Sequence, residues 1–299
     1  MVKFEGAIPA LVTPFDTEGN VAEEMLRRLV EVHIKAGATG LYLCGATGEG
    51  ILLRTQERKQ VLEIAASQNR KRIPLIAHVG CLSTDEAAEL ARHAEQAGAD
   101  GVSAIPPFFY GVSIEGMYRH YARISENCKL PLILYNIPSL TGVNVTPEMM
   151  AKLMQIPTVT GIKFSSYNLY HLQLMTKLGD GRLNLLSGND EVFLGALAMG
   201  AHGSIGTNLN YACKLYVDIY HHFQVGNWRQ AQEVQAYANR IVNVLLQFPV
   251  LPAAKEIMRF KGYECGNCRG PLDVLTDQQK QDLHDQLAKL GFFEKELGL

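Results

Sequence analysis

Eight short apolar runs recur along the first two-thirds of the chain, at residues 7–12, 40–44, 73–79, 101–105, 130–135, 158–163, 183–186 and 203–205. They return about every 28 residues, close to the ~30 that a strand and its crossover helix occupy. Runs that are apolar throughout belong to strands buried on both faces, hence to a parallel sheet. The stretches between them carry the helical period. Residues 23–35 place Leu26, Leu29, Val30 and His33 at three- and four-residue spacing. Residues 55–70 have Glu57 in the first turn and Val61, Leu62 and Ile64 further along. Residues 83–97 open on Ser83-Thr84-Asp85-Glu86, where Ser83 or Thr84 can cap the helix and Glu86 sits three residues after Ser83, as in a capping box. Residues 114–127, 147–154, 169–178 and 191–199 complete the alternation. Gly37, Gly98 and Gly200 follow helices, where a left-handed C-cap suits glycine.

This alternation predicts an α/β fold, a closed (β/α)8 TIM barrel over residues 1–224. A doubly wound open sheet is the alternative. It calls for a nucleotide fingerprint, and neither GxGxxG nor GxxxxGK[ST] occurs. Past residue 225 the strand pattern stops. Residues 227–247, 251–260 and 277–290 read as three helices, a C-terminal appendage over 225–299 packed on the barrel or on a partner subunit.

Composition narrows the function classes. Twenty-eight basic and 30 acidic residues give a net charge of −2, with no basic block. This argues against nucleic acid or a membrane surface as partner. The longest apolar runs fall short of the ~18–20 residues of a membrane span. The opening Met1-Val2-Lys3-Phe4-Glu5-Gly6 lacks the charged head and apolar stretch of a secretory signal. A soluble cytoplasmic protein is the expectation. Six cysteines are too few for a disulfide scaffold. Cys44, Cys81, Cys128 and Cys213 read as buried small hydrophobes. Cys265 and Cys268 form a lone Cys-Gly-Asn-Cys, read as a surface turn with two thiols, since no further zinc ligands lie nearby. No HExxH or similar cluster suggests a metal.

In a barrel, chemistry sits at the C-terminal ends of the strands. Lys163 ends the sixth run, at the mouth of an apolar wall. Desolvation there lowers a lysine's pKa, and the neutral amine can attack a ketone. A lysine snorkelling to solvent is the plainer reading. Tyr135 ends the neighbouring run and could relay protons beside such a lysine, or simply pack. Gly45-Ala46-Thr47-Gly48-Glu49 is a glycine-flanked turn whose amides and Thr47 hydroxyl could hold a carboxylate, or a simple turn with Glu49 fixing the loop. Asp190 and Glu191 could bind a polyol or sit in the first turn of a helix. His78 reads as a satisfied barrel histidine rather than a ligand.

Three motifs in this order, Gly45-Ala46-Thr47-Gly48-Glu49, Tyr135-Asn136-Ile137-Pro138 and Gly161-Ile162-Lys163, resemble the dihydrodipicolinate synthase / N-acetylneuraminate lyase family. The likeness runs from Gly6 to past residue 260. It implies a barrel with C-terminal helices, usually a homotetramer, and class I aldolase chemistry on a keto acid through a lysine imine, without another cofactor. Ala77-His78-Val79-Gly80, Ser139-Leu140-Thr141-Gly142 after the tyrosine motif, and Gly188-Asn189-Asp190-Glu191 look like the sialic acid lyase branch. The synthase branch typically carries Arg where Leu140 stands, to hold a second carboxylate. By position, the resemblance makes Lys163 the imine former, Tyr135 the proton shuttle, and Ala46–Thr47 the carboxylate turn. Ser165, Gly188, Asp190, Glu191 and Thr207 would line the sugar-chain pocket.

Two departures stand out. Ala46 replaces the first hydroxyl of the family's carboxylate turn, and Phe109 replaces the tyrosine of the loop after strand 4, with Tyr110 next to it. The proton relay would then use the substrate carboxylate, water or Tyr110. The reaction implied is cleavage of a 2-keto-3-deoxy sugar acid, N-acetylneuraminate first, to pyruvate and N-acetylmannosamine. The alternatives are a 2-keto-3-deoxy-gluconate-type aldolase or related dehydratase, then a dihydrodipicolinate synthase, then an inactive keto-acid sensor.

Overall fold

The computed structural model describes residues 3–296. Eight parallel strands, β1 (Gly6–Pro9), β2 (Leu41–Leu43), β3 (Leu75–His78), β4 (Gly101–Ala104), β5 (Leu132–Asn136), β6 (Val159–Phe164), β7 (Asn184–Ser187) and β8 (Gly203–Gly206), lie in the order β1-β8-β7-β6-β5-β4-β3-β2. The Leu11 amide donates to the Tyr42 carbonyl at 2.9 Å, and an Ala10–Tyr42 bridge closes β1 onto β2. Each expected run lands on its strand. β1 to β5 are shorter than their runs because those runs continue into buried loop ends.

Alternate residues point inward. Ile8, Tyr42, Ile76, Ile133, Tyr135, Leu186 and Ile205 pack together inside the barrel, apart from the larger strand–helix layer outside it. Phe4 plugs the N-terminal end, its amide and carbonyl both bonded by the Asn184 side chain at 2.9 and 2.8 Å. Inward-facing side chains at the C-terminal ends of the strands therefore face an open mouth.

Helices α1 (Glu23–Lys35), α2 (Thr55–Asn69), α3 (Thr84–Gln96), α4 (Ile114–Asn127), α5 (Pro138–Thr141), α6 (Pro147–Leu153), α7 (Leu169–Met175), α8 (Phe193–Ala198) and α9 (Leu209–Gln224) cross between strands or follow β8. Ser83 caps α3, accepting from the Glu86 amide. Helix α9 is the eighth helix that the (β/α)8 pattern implies without giving its bounds; Leu209, Ala212, Tyr216 and Ile219 form its apolar face. The expected helix over 191–199 is split. Asp190–Val192 form a tight 3-10 turn before α8, because the Asp190 carboxylate is drawn inward rather than left at a helix start. Helices α10 (Trp228–Leu245), α11 (Val250–Phe260), α12 (Asp277–Lys289) and α13 (Phe292–Glu296) follow. No single helix among the described residues is long and apolar enough to cross a membrane.

The Cys265/Cys268 segment departs from expectation. Both thiols are buried, not on a surface turn, and burial pushes each up to about 12. The reason is tertiary: the segment packs on the loop after β1, with the Phe15 amide donating to the Cys265 carbonyl at 3.0 Å.

Burial also sets an acid limit. His33 on α1 is lowered to about 3 and His120 on α4 to about 4, each by desolvation. In the unfolded chain both take a proton near pH 6.5. The unfolded state thus binds more protons as pH falls below 6.5, and stability drains by up to about 1.4 kcal/mol per pH unit for each histidine. Neither ring nitrogen of His33 has a hydrogen-bond partner. His33→Leu is therefore expected to hold stability at pH 8 and to lose one proton's worth of slope between pH 6.5 and 5. Denaturant titrations at a series of pH values check this; an unaltered slope contradicts it.

Candidate active site

Lys163 is the fifth residue of β6, and its register neighbours are Tyr135 on β5 and Leu186 on β7. Its odd position in the strand aims it into the barrel mouth. Gly161, two residues earlier on the same face, has no room for a Cβ: Ile133 and the Asn184 carbonyl would lie at 2.6 and 2.7 Å. The Lys163 side chain is buried, with Nζ 4.1 Å from the Tyr135 ring centre and 4.7 Å from that of Tyr42. It makes no hydrogen bond or ion pair with the described residues. Burial lowers its pKa to about 7, against the pull of Asp190. At neutral pH a substantial fraction is free amine, the nucleophilic form.

The floor around it is aromatic. Tyr42 and Tyr135 meet edge to face at 6.0 Å, and His78 meets Tyr135 the same way at 5.8 Å. The Tyr42 hydroxyl is spent on Ser103 Oγ at 3.0 Å. His78 Nδ1 is 3.1 Å from the Cys44 carbonyl, and the Arg58 guanidinium donates to the His78 carbonyl at 2.6 Å. Burial, with Arg58 and Lys163 nearby, keeps His78 neutral. It is part of the wall and does not line the cleft. Burial raises the Tyr135 phenol above its ordinary range, so it enters the site protonated.

Asp190 is also buried. Its carboxylate accepts from the Asn208 amide at 2.8 Å and from Ser204 Oγ at 3.3 Å, and desolvation raises its pKa to about 7. Gly206 makes the space: a Cβ there would stand 1.5 Å from Asp190 Oδ1. Glu191 accepts from the Tyr167 hydroxyl. Helix α10 holds this turn from outside. Gln235 Nε2 donates to the Asp190 carbonyl at 3.1 Å and Asn239 Nδ2 to the Glu191 carbonyl at 3.0 Å. The sequence reading missed both. Their only local signal is an amide pair four apart on an otherwise apolar helical face, with Gln235 buried.

Opposite, the turn after β2 carries Ala46 and Thr47. Thr47 Oγ1 is 2.7 Å from Thr207 Oγ1, across the mouth on the loop after β8. Thr13 Oγ1 donates to the Gly48 carbonyl at 2.7 Å. Ser165 follows β6, its Oγ buried and close enough to the Tyr135 phenol to act on it, and Gly188 leaves the room it occupies. Together Lys163, Tyr135, Ala46, Thr47, Ser165, Gly188, Asp190, Glu191 and Thr207 line one cleft of about 690 Å³. Leu140, largely exposed on α5, and Val242, Leu246, Val250 and Leu251 of the α10–α11 region form its apolar lip. Lys163 is the one cation among the described lining residues. Tyr110 does not join them. It is 76% exposed on the loop after β4, stacked edge-on against Phe109 at 5.0 Å, because Phe109 takes a left-handed backbone (φ +76°) and turns the pair outward. Within this chain Tyr110 stands outside the cleft.

Among the described residues no group of three or more His, Cys, Asp or Glu side chains could hold a metal ion.

Residues 3–290 match the Dihydrodipicolinate synthetase family. The chain belongs to that family. It is 36% identical over 280 residues to an N-acetylneuraminate lyase of Citrobacter koseri, covering 93% of this chain and 94% of that protein. It is 35% identical over 290 residues to a 4-hydroxy-tetrahydrodipicolinate synthase of Methanothrix thermoacetophila, covering 96% and 97%. A solved Ruminococcus gnavus sialic acid aldolase, a catalytic lysine mutant, superposes with a TM-score of 0.94 at 28% identity, covering 98% of each chain. Enzymes of this family join pyruvate to a lysine as a Schiff base and use no external cofactor or metal. This member is accordingly a class I pyruvate aldolase with the family's barrel and C-terminal helices.

Proposed function

We propose that this aldolase cleaves a 2-keto-3-deoxy sugar acid, N-acetylneuraminate first among them, to pyruvate and an aldehyde sugar, N-acetylmannosamine. The observation that supports it most is the lining of the cleft. Beyond the lysine stand the acceptors and hydroxyls Ser165, Asp190, Glu191 and Thr207, which suit a polyol chain. At the lip stands Leu140, where a second substrate carboxylate would want a cation.

In this reading the amides and hydroxyl of the Ala46–Thr47 turn receive the substrate carboxylate. The neutral Lys163 amine attacks the C2 ketone, and the carbinolamine takes up one proton from water and loses water to give a protonated imine. Tyr135 takes the C4 hydroxyl proton while passing its own to the substrate carboxylate, so no free phenolate is needed. The C3–C4 pair moves into the imine, leaving an enamine and releasing the aldehyde. Protonation at C3 and hydrolysis return pyruvate and free Lys163. Ala46 brings a methyl group where a hydroxyl would join this relay, so the substrate carboxylate and water carry it.

The test is pyruvate release by the purified protein from N-acetylneuraminate, from 2-keto-3-deoxygluconate, and, in reverse, pyruvate consumption with aspartate semialdehyde. Release from N-acetylneuraminate with the highest kcat/KM is expected. A higher kcat/KM for the shorter acid moves the assignment to that substrate. Consumption with aspartate semialdehyde alone overturns it.

A further inference from the structure

Glu49 ends the Ala46–Thr47 turn, yet its carboxylate points away from the cleft. It is buried, and its Oε1 lies 2.6 Å from the equally buried ammonium of Lys255 on α11. The Arg269 amide donates to its other oxygen at 2.7 Å. Lys255 also stands 4.2 Å from the Phe15 ring centre and donates to the Asn267 carbonyl at 3.3 Å. The turn between has little slack. Cys44 and Glu49 both hold left-handed backbones, at φ +57° and +56°. A Cβ on Gly50 would lie 1.7 Å from the Cys44 carbonyl oxygen. On α11, Leu251 precedes Lys255 by four residues and so shares its face. Leu251 lines the cleft.

One helical face thus touches the far wall of the cleft and grips the near turn. Two buried charges are a costly way to join two segments, and an apolar pair of similar size is often as stable. What this ion pair adds is a fixed contact, because each partner is held by a further hydrogen bond, Glu49 from the Arg269 amide and Lys255 to the Asn267 carbonyl. We propose that Glu49–Lys255 is a positioning pair that sets the keto-acid turn and the α11 wall at a fixed separation, so that both ends of the substrate bind in register with Lys163. This rests on the reading above that the turn receives the carboxylate.

The variants are Glu49→Gln, Lys255→Met, the double variant and Lys255→Arg. The readouts are half-saturation by pyruvate of borohydride trapping at Lys163, KM for the cleaved sugar acid, and Tm. Each neutralising single variant is expected to raise half-saturation about tenfold at a temperature well below its own Tm, with a larger rise in the sugar-acid KM and partial recovery in Lys255→Arg. The double variant, with no unpaired buried charge, is expected to regain Tm but not affinity, and it carries the measurement if a single variant does not fold. Normal half-saturation in folded variants, with only Tm lowered, overturns the positioning role. Absence of trapping in the unaltered enzyme overturns the reading of the turn as well.

Discussion

Lys163→Ala is expected to abolish turnover and borohydride trapping of pyruvate together. No other lysine of the described residues lines the cleft, and none can take its place against the substrate ketone. The loss should reach the background of the assay, because the imine is the electron sink for C3–C4 cleavage rather than an aid to it. Trapping that persists at another lysine would place the chemistry elsewhere. The same residue sets the pH profile. Its amine is lowered to about 7 by burial. Only the unprotonated form attacks, so the rate of imine formation should rise as pH passes about 7 and then level off, not climb toward pH 10. A rise that continues to the ordinary lysine range would mean that the amine is solvated in the working enzyme. The same shift costs the fold stability below the unfolded lysine's pKa. The unfolded lysine keeps its proton to about 10.5, so stability increases with pH between about 7 and that value.

Tyr135→Phe is expected to lower kcat by about 100-fold or more, the usual reach of a positioned acid–base group, with a small change in KM. The ring contacts to Tyr42, His78 and the lysine survive the substitution, since they involve the face and edge of the ring and not the hydroxyl. Trapping of pyruvate should therefore persist while carbon–carbon cleavage slows. An unchanged kcat would remove the phenol from the relay. A loss of trapping equal to the loss of turnover would move its role to imine formation.

The sequence carried the barrel because the rule behind it is local. Apolar runs at a fixed repeat, each followed by a helical period, are what a parallel strand and its crossover require. It also carried the position of Lys163, Tyr135, Ser165 and Asp190, since an inward-facing residue at or just past a strand's C-terminal end is at the mouth whatever the details. The bounds of helix α9 are legible from Leu209, Ala212, Tyr216 and Ile219, which keep the helical period after the eighth strand.

The tertiary structure decided what depends on partners far apart in the chain. Asp190 turns inward because Gly206 and the Asn208 amide, from the end of another strand, make a place for it. Gln235 and Asn239 reach that turn from α10, and Lys255 reaches Glu49 from α11, at separations no spacing rule spans. Cys265 and Cys268 look like a surface turn until the loop after β1 covers them. Tyr110 looks available until the backbone at Phe109 turns it outward. Periodicity fixes which side of an element a residue faces; desolvation, and with it the lowered lysine pKa, exists only once distant elements have closed over that face.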